Sequence, residues 1–593
     1  LSNDLVFIAL NWPGFETARK AQSTLGYGEV HGLSSRTANA DVTFDETGAH
    51  LRMLFNTGRP IVAFMASGAV IRILAPVLSN KHAEPPVLAA SLNGEHIAPL
   101  LGGHHGGNAL ARVLAEALGG HAAITTGGDA VLGGALDDPP DGWRIDGVGS
   151  TKVVMQEAIA AGGVCFVGPG PRPHWLKQAD DGPRIQVSDV AAAPASDLRL
   201  IPPTIAIGVG CERDTPPEQL VAHVSTIIEQ AGIHASAVAV ISSIDVKADE
   251  PAVHAVGDAL GAAVRFFRPY ELREVAPRLQ NPSAIVQQEV GVPGVAEAAA
   301  LAAAGPGATL IQPKVKGARV TGAVARSVLP IAPGKVGRPQ GVLRIVGLGP
   351  GDPAYRVPAA TETIRQAEDI VGYGLYLDLA ADAVSSKATL HDFPLGAERK
   401  RARHAIALAS EGRRVALLAS GDPGVYALAT LALEEMDTEQ DQRWNRIALD
   451  VIPGVSAMQM AAARIGAPLG HDFCAISLSD LLTPWATIEQ RLTGAAIGDF
   501  VVAFYNPVSK RRREGLLKAR DILLEHRPGN TPIAYARNLG RPDEAVAYST
   551  LEALSPDACD MLTTVIVGSS RTRRMELGAR EILYTPRGYI SGV

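Results

Sequence analysis

Between Leu343 and Pro353 the sequence Leu-Arg-Ile-Val-Gly-Leu-Gly-Pro-Gly-Asp-Pro sets a glycine-rich turn on the end of an apolar run. That order predicts a strand followed by a shaped loop. Gly347, Gly349 and Gly351 tolerate positive φ and close approach, while Pro350 fixes φ and removes one backbone donor. The loop suits a nucleotide-like ligand without being a dinucleotide fingerprint, which needs a glycine at its sixth position and an acid ending the next strand. Here the sixth position is Asp352, and no strand-ending acid follows.

Two more strand-to-helix turns follow, Ser420-Gly421-Asp422-Pro423-Gly424 and Ile452-Pro453-Gly454-Val455-Ser456. Each alone is ordinary α/β punctuation. The three in this order and spacing form a specific pattern. Asp422 is also placed to N-cap a helix beginning near Pro423.

Upstream, short apolar runs alternate with helical periods, which predicts parallel-sheet α/β architecture. Leu5 to Leu10 and Arg59 to Phe64 read as strands, and the Gly102 to Gly107 turn opens a helix with Asn108 as N-cap. This unit closes near Asp129. Residues 130–200 hold more prolines and turns around one apolar strand at 163–168, a small middle module. A third α/β unit covers 201–326, and the Pro- and Gly-rich stretch 327–341 reads as a linker. The last part divides into 342–450 and 451–593.

A chain of 593 residues exceeds one hydrophobic core, so several domains are expected. Apolar residues at 47% and charged residues at 19% describe a folded protein rather than a disordered one. The net charge of -7 argues against nucleic acid or an anionic membrane as the main partner. The apolar runs are broken by Arg72 or by Gly-Pro-Gly, so none reads as a membrane span. Cys165, Cys211, Cys474 and Cys559 are too scattered for a disulfide scaffold or a Cys-x-x-Cys metal site, and no metal is expected. Together with a start lacking a basic leader, this sets the expectation of a cytoplasmic protein.

The three turns, with Asp369 to Ala380, Gly498 to Arg520, Ala536 to Val546 and Thr563 to Arg573, resemble the tetrapyrrole methylase family. Within it they look like the precorrin-3B C-17 methyltransferase branch, CobJ or CbiH. Upstream, Gly58 to Leu88, Ile124 to Asp129, Ile207 to Thr215, Ile244 to Glu250 and Val290 to Leu301 resemble the CbiG family, whose C-terminal part also occurs alone as a CobE-type protein. The implied fold is multidomain α/β: CbiG-type units followed by a two-subdomain class III S-adenosylmethionine methyltransferase. The implied activity is methylation of precorrin-3B, metal-free or cobalt-loaded, with ring contraction to precorrin-4. The family's usual Ser-Gly-His-x-Gly-Gly-Ala-Asn turn is shortened here to Gly102-Gly103-His104-His105-Gly106-Gly107-Asn108. Two alternatives therefore stand for the CbiG-like region: a hydrolase releasing acetaldehyde from cobalt-precorrin-5A, or a non-catalytic tetrapyrrole-binding or carrier module.

The resemblance implies S-adenosylmethionine on Gly347, Gly349, Pro350, Gly351, Asp352, Gly421, Asp422, Gly424, Val425, Tyr426, Pro453, Gly454 and Ser456. Candidates for proton handling during contraction are Asp422, Tyr426, Ser420 and Tyr505. A precorrin carries many acetate and propionate groups, and guanidinium forks match carboxylates. Lys510, Arg511, Arg513, Arg537 and Arg541 are the substrate-binding candidates, each against the reading of a solvated helix face or surface charge. His104 and His105 are either tetrapyrrole contacts or turn residues. Lys247 and Glu250 either hold substrate carboxylates or form an exposed ion pair. The expected partners are the tetrapyrrole, other corrin-pathway enzymes and a second copy in a homodimer through the methylase part.

Overall fold

The structure is a computed structural model that describes residues 4–588 apart from 38, 81–83, 104–105, 137–138, 148–150, 192–197, 386 and 510–512. The chain forms two compact units, residues 1–340 with 385–387 and residues 341–384 with 388–593. Each is α/β, as the alternation of apolar runs and helical periods predicts.

The first unit holds three sheets. The first runs in the order Val42–Phe44, Glu29–Leu33, Val6–Ala9, Ile61–Phe64, Val87–Ala90, His96–Leu101, His121–Ala122. Its central strands are parallel and buried on both faces, which is why they read as unbroken apolar runs. Helices Trp12–Leu25 and Gly107–Leu118 cover one face through Phe15, Ala18, Leu110 and Leu114. The other face packs on Leu51, Leu54, Val70 and Leu74. Asn108 is not the N-cap. Gly106, in the left-handed region at φ 86°, takes that place, and Asn108 lies inside the helix with its amide donating to Thr126 and Asp129.

A four-stranded sheet, Arg144–Asp146, Arg199–Ile201, Arg184–Val187, Cys165–Val167, follows around Trp143, Phe166 and Ile185. The third sheet runs Ala263–Phe267, Val238–Ile244, Ile205–Cys211, Val320–Arg326, Thr309–Lys316, the last two strands joined antiparallel. On it lies helix Val295–Ala304, and eight of its residues are buried, which explains the alanine run. Small side chains let the helix approach the strand closely at Gly208, where an added Cβ would sit 2.5 Å from Ala300 N.

The stretch 327–341 does not run free. Ser327 N–H donates to Thr204 O and Ile331 N–H to Pro203 O, both at 2.8 Å. Arg338 and Phe266 exchange both backbone hydrogen bonds, and the Arg338 fork grips Glu271 at 2.7 and 3.2 Å. Proline and glycine here shape a strap on the third sheet.

The second unit begins with a parallel sheet in the order Thr389–Phe393, Asp369–Tyr373, Arg414–Ala419, Val342–Gly347, Ala448–Ile452. A mixed sheet follows, Phe473–Ser477, Val501–Tyr505, Thr563–Val567, Pro532–Arg537, Ala545–Thr550. A small three-stranded sheet, Gly466–Ala467, Arg580–Tyr584, Arg573–Leu577, completes it. Among the described residues no helix is long and apolar enough to cross a membrane.

Candidate functional site

The three glycine turns meet at the carboxyl end of the parallel sheet, where ligands of open α/β sheets bind. Gly349 and Gly421 exchange backbone hydrogen bonds at 2.8 and 3.2 Å, stitching the first turn to the second. A Cβ on Gly347 would sit 2.7 Å from Gly421 O and 2.8 Å from Gly454 N. Only glycine lets the three loops touch there.

Asp422 clasps two of them. Its Oδ1 accepts from Gly424 N–H at 2.8 Å and its Oδ2 from Gly454 N–H at 3.1 Å. The helix after this turn begins at Leu428, so Asp422 is not its N-cap, contrary to the sequence expectation. The partner that claims its second oxygen is a loop 32 residues further on. Ser456 does cap a helix, Ala457–Ile465, in a reciprocal pair with Gln459.

Arg541 ties the mixed sheet's loop to these turns. Its Nε donates to Pro350 O at 2.8 Å and its Nη2 to Ser420 Oγ at 2.9 Å. It lies against Gly351, whose φ of 136° and missing Cβ make room for it. Arg541, a substrate-binding candidate, thus clamps the first two turns together. Arg537 pairs with Asp560 at 2.7 Å, and Arg513 pairs with Asp557. Both guanidinium groups already hold a carboxylate of the chain. Lys510, Arg511, His104 and His105 lie outside the described residues.

Burial sorts the expected cofactor contacts. Gly347, Gly349, Pro350, Gly351, Gly454 and Ser456 are buried, and at Gly347, Gly351 and Gly454 an added Cβ would meet another loop. Asp352, Gly424, Tyr426 and Pro453 are exposed, with Gly421, Asp422 and Val425 partly so. These are the surfaces left for a ligand. Asp352 caps a short turn by accepting from Ala354 N–H at 2.8 Å.

Two tyrosines stand over the second turn. Tyr426, held at φ 52°, donates its hydroxyl to Ala475 O at 2.8 Å. Its ring lies 5.2 Å from that of Tyr505, tilted by 55°. Tyr505 accepts from Met458 N–H at 3.0 Å, which leaves its own O–H to donate. Burial pushes both phenols above their ordinary value, so both stay protonated near neutrality. Beside them Asn506, also at positive φ, donates to Ser477 Oγ at 3.1 Å, a pair that the sequence reading missed.

The four proton-handling candidates now differ. Asp422 spends both oxygens on backbone donors, and Tyr426 spends its proton on a carbonyl. Ser420 accepts from Arg541 and keeps a hydroxyl proton to give, while the Tyr505 hydroxyl is shared between Met458 N–H and the Ser456 side chain.

In the first unit, Lys247 and Glu250 sit at the carboxyl end of the third sheet, 3.4 Å apart, with Glu250 only 1% exposed. Of the two readings, the exposed ion pair does not hold: the Glu250 carboxylate is buried and Lys247 half-buried. Arg213 approaches the same carboxylate at 3.6 Å, and burial pushes the neighbouring Cys211 thiol up to about 11. A cavity of about 460 Å³ opens at the carboxyl ends of Val6–Ala9, Ile61–Phe64 and Val87–Ala90, between Asn11, Ser67, Ser91, His96 and apolar walls including Phe64 and Leu92. No His, Cys, Asp or Glu group among the described residues has the arrangement of a metal site.

A family model of tetrapyrrole (corrin/porphyrin) methylases matches residues 342–555. Models of the cobalamin synthesis G N-terminal and C-terminal regions match 49–129 and 205–325. The chain is 42% identical over 253 residues to a Sinorhizobium protein named precorrin-3B C(17)-methyltransferase, covering 42% of this chain and 97% of that one. It is also 42% identical over 253 residues to the Mycobacterium tuberculosis cobalamin biosynthesis protein CobIJ, again 42% of this chain but 48% of that protein. The chain thus spans about half the length of that two-part relative. Among solved structures, the crystal structure of the methyltransferase CobJ is 41% identical, covers 42% of this chain and 100% of that chain, and has a TM-score of 0.39.

Proposed function

Since this chain belongs to the tetrapyrrole methylase family, with cobalamin synthesis G regions ahead of its methylase unit, we propose that it methylates C-17 of precorrin-3B or its cobalt form and contracts the macrocycle to precorrin-4. The observation that carries this reading is the identity of 42% across 97% of a relative named for that reaction. The methylase family model, matched over residues 342–555, spans all three interlocked turns.

The residues left open at the site suit S-adenosylmethionine, which when bound supplies an activated methyl on a cationic sulfonium. Asp422 and Asp352 bring negative charge to the exposed rim, and the Tyr426 and Tyr505 rings offer aromatic faces that attract a cation. Gly421 to Tyr426 and Pro453 would hold the cofactor's methionine and nucleoside parts. The chain's main contribution is geometric, holding donor and acceptor carbon at near-attack distance. The locked turns fit that task. Contraction also needs a proton given to or taken from an oxygen on the carbon being extruded. Ser420, whose hydroxyl only accepts from Arg541, is the first candidate for it, and Tyr505, bonded to Met458 N–H and Ser456, the second.

Mass spectrometry of products from S-adenosylmethionine and precorrin-3B, with and without cobalt, tests the reading. A mass gain of one methyl is expected, with the extruded carbon retained as an acetyl group, and the contracted ring is read from fragmentation and the absorption spectrum of that product. One added methyl on an uncontracted ring would retain the methylase and reject contraction.

The cavity in the first unit favours a second, compatible reading in which that unit acts on the same class of molecule, as hydrolase or carrier. Acetaldehyde release from cobalt-precorrin-5A would distinguish the hydrolase. We assign the chain to the cytoplasm, as a homodimer through the methylase unit that works beside other corrin-pathway enzymes. Sedimentation of the intact chain tests the dimer.

A further inference from the structure

Arg401 lies on helix Glu398–Ser410 of the methylase unit and is 3% exposed. Its Nε and Nη1 are buried without a hydrogen-bond partner. Its guanidinium carbon stands 6.0 Å from the centre of the Tyr376 ring. Tyr376, partly exposed, belongs to the first turn of helix Gly374–Ala380, directly after strand Asp369–Tyr373, and packs edge-on against Tyr373 at 5.5 Å. This is the carboxyl end of the parallel sheet, the end that carries Ser420 and Pro350. The charges of Arg401 and Arg541 both act on the Tyr376 phenol.

Its lack of a partner sets Arg401 apart from the other arginines at this end. Arg541, Arg537 and Arg513 are all committed to oxygen atoms of the chain. Among the described residues Arg401 makes no ion pair: Glu398, three residues earlier, acts on it only through its charge and accepts from Gly396 N–H. A buried guanidinium with unmet donors is costly, and native proteins seldom keep one without a ligand, water or ion to complete it. A carboxylate completes a guanidinium fork with two parallel charge-assisted bonds.

We infer that Arg401, with Tyr376 at its mouth, is a binding subsite for one peripheral carboxylate of the tetrapyrrole acceptor. The inference rests on the methylase reading above. The subsite anchors one edge of the macrocycle at the strand ends and so fixes which ring carbon faces the methyl donor. Arg401 is a substrate-binding and positioning residue, with no role in moving protons.

Two properties of Arg401→Met separate a ligand-binding arginine from a structural one. Removing an unpaired buried charge is expected to leave the thermal midpoint of the methylase unit unchanged or higher. It is also expected to weaken tetrapyrrole binding by about tenfold or more, with S-adenosylhomocysteine affinity unchanged. The measurement is fluorescence titration of the full chain with precorrin-3B, or with uroporphyrin as a stable polycarboxylate, and with uroporphyrin methyl ester. Arg401→Lys, which keeps charge but loses the fork, is expected to fall between. Unaltered tetrapyrrole affinity in Arg401→Met would overturn the inference while leaving the methylase reading intact. So would a protein that loses stability and cofactor binding together, or one that fails to fold. Absence of tetrapyrrole binding by the unaltered chain, with cofactor binding retained, would overturn the substrate reading and this inference with it.

Discussion

At the scale of single residues, Asp422 shows how a turn motif can conceal its main task. Proximity to Pro423 and Gly424 suggested a helix cap, while the structure gives one oxygen to Gly424 and the other to Gly454. Asp422→Ala leaves two backbone donors without their acceptor, a cost of about 1–3 kcal/mol for each that stays dry. The expected outcome is a lower thermal midpoint of the methylase unit and weaker S-adenosylhomocysteine binding, read by calorimetry. Asp422→Asn keeps one acceptor oxygen and should lose less. A second residue-scale prediction concerns His50, which accepts or donates to His31 at 2.8 Å and stacks on Phe44 at 4.4 Å. Burial, aided by the nearby charges of His31 and Arg59, pushes its pKa from 6.5 down to about 4. Between those values the unfolded chain binds a proton that the folded chain does not, so stability falls as pH drops from about 6.5 to 4. Glu29, held down to about 2 chiefly by its hydrogen bond to His31 and the Arg59 fork, adds a loss of the same sign at lower pH. His50→Gln should shrink the drop in the first unit's thermal midpoint between pH 7 and pH 5. An unchanged drop would show that other groups carry it.

At the scale of elements, the strand and helix alternation was legible because period-2 and period-3.6 patterns are local. The three turns were legible for the same reason. What escaped was set by partners distant in sequence. Asn108 looked like a cap because it follows glycines, but the side chains that claim it, Thr126 and Asp129, come two turns of chain later. Lys247 and Glu250 looked exposed because they are charged, yet Arg213 from another strand end helps bury the carboxylate. The glycines of the first turn were assigned to ligand approach, and the structure shows them buried where loops cross. Gly454→Ala tests that geometry. The added methyl would meet the Gly421 carbonyl and the Gly347 backbone, neither of which can swing aside. A loss of about 1–3 kcal/mol, typical of overpacking, is expected. It should appear as a lower urea midpoint together with reduced cofactor affinity. Gly424→Ala, where the nearest atom is the Asp422 side chain at 3.2 Å, should be far milder.

At the scale of the whole molecule, the strap decides where the chain can be divided. Its composition suggested a linker, in which Pro333 would be a natural place to cut. In the structure Pro333 O accepts from Arg265 Nε at 2.8 Å, and the backbone pairing of Arg338 with Phe266 lies beyond it. A cut there leaves the edge strand Ala263–Phe267 with Val238–Ile244 alone, removing its bridge to Arg338, and exposes the Glu271 carboxylate that Arg338 holds. A cut after Gln340 leaves every one of these bonds inside the first unit. Residues 1–340 ended at Gln340 are therefore expected to melt several degrees higher than the same fragment ended at Ala332, with Arg338→Ala in the longer fragment recovering part of the difference. The companion fragment 341–593 retains Val342–Gly347 in the centre of its sheet and all three turns, so it should keep S-adenosylhomocysteine binding close to that of the full chain. Calorimetry of the two shorter forms and titration of the third measure both. Equal melting of the forms ended at Ala332 and Gln340 would return residues 333–340 to the status of a linker.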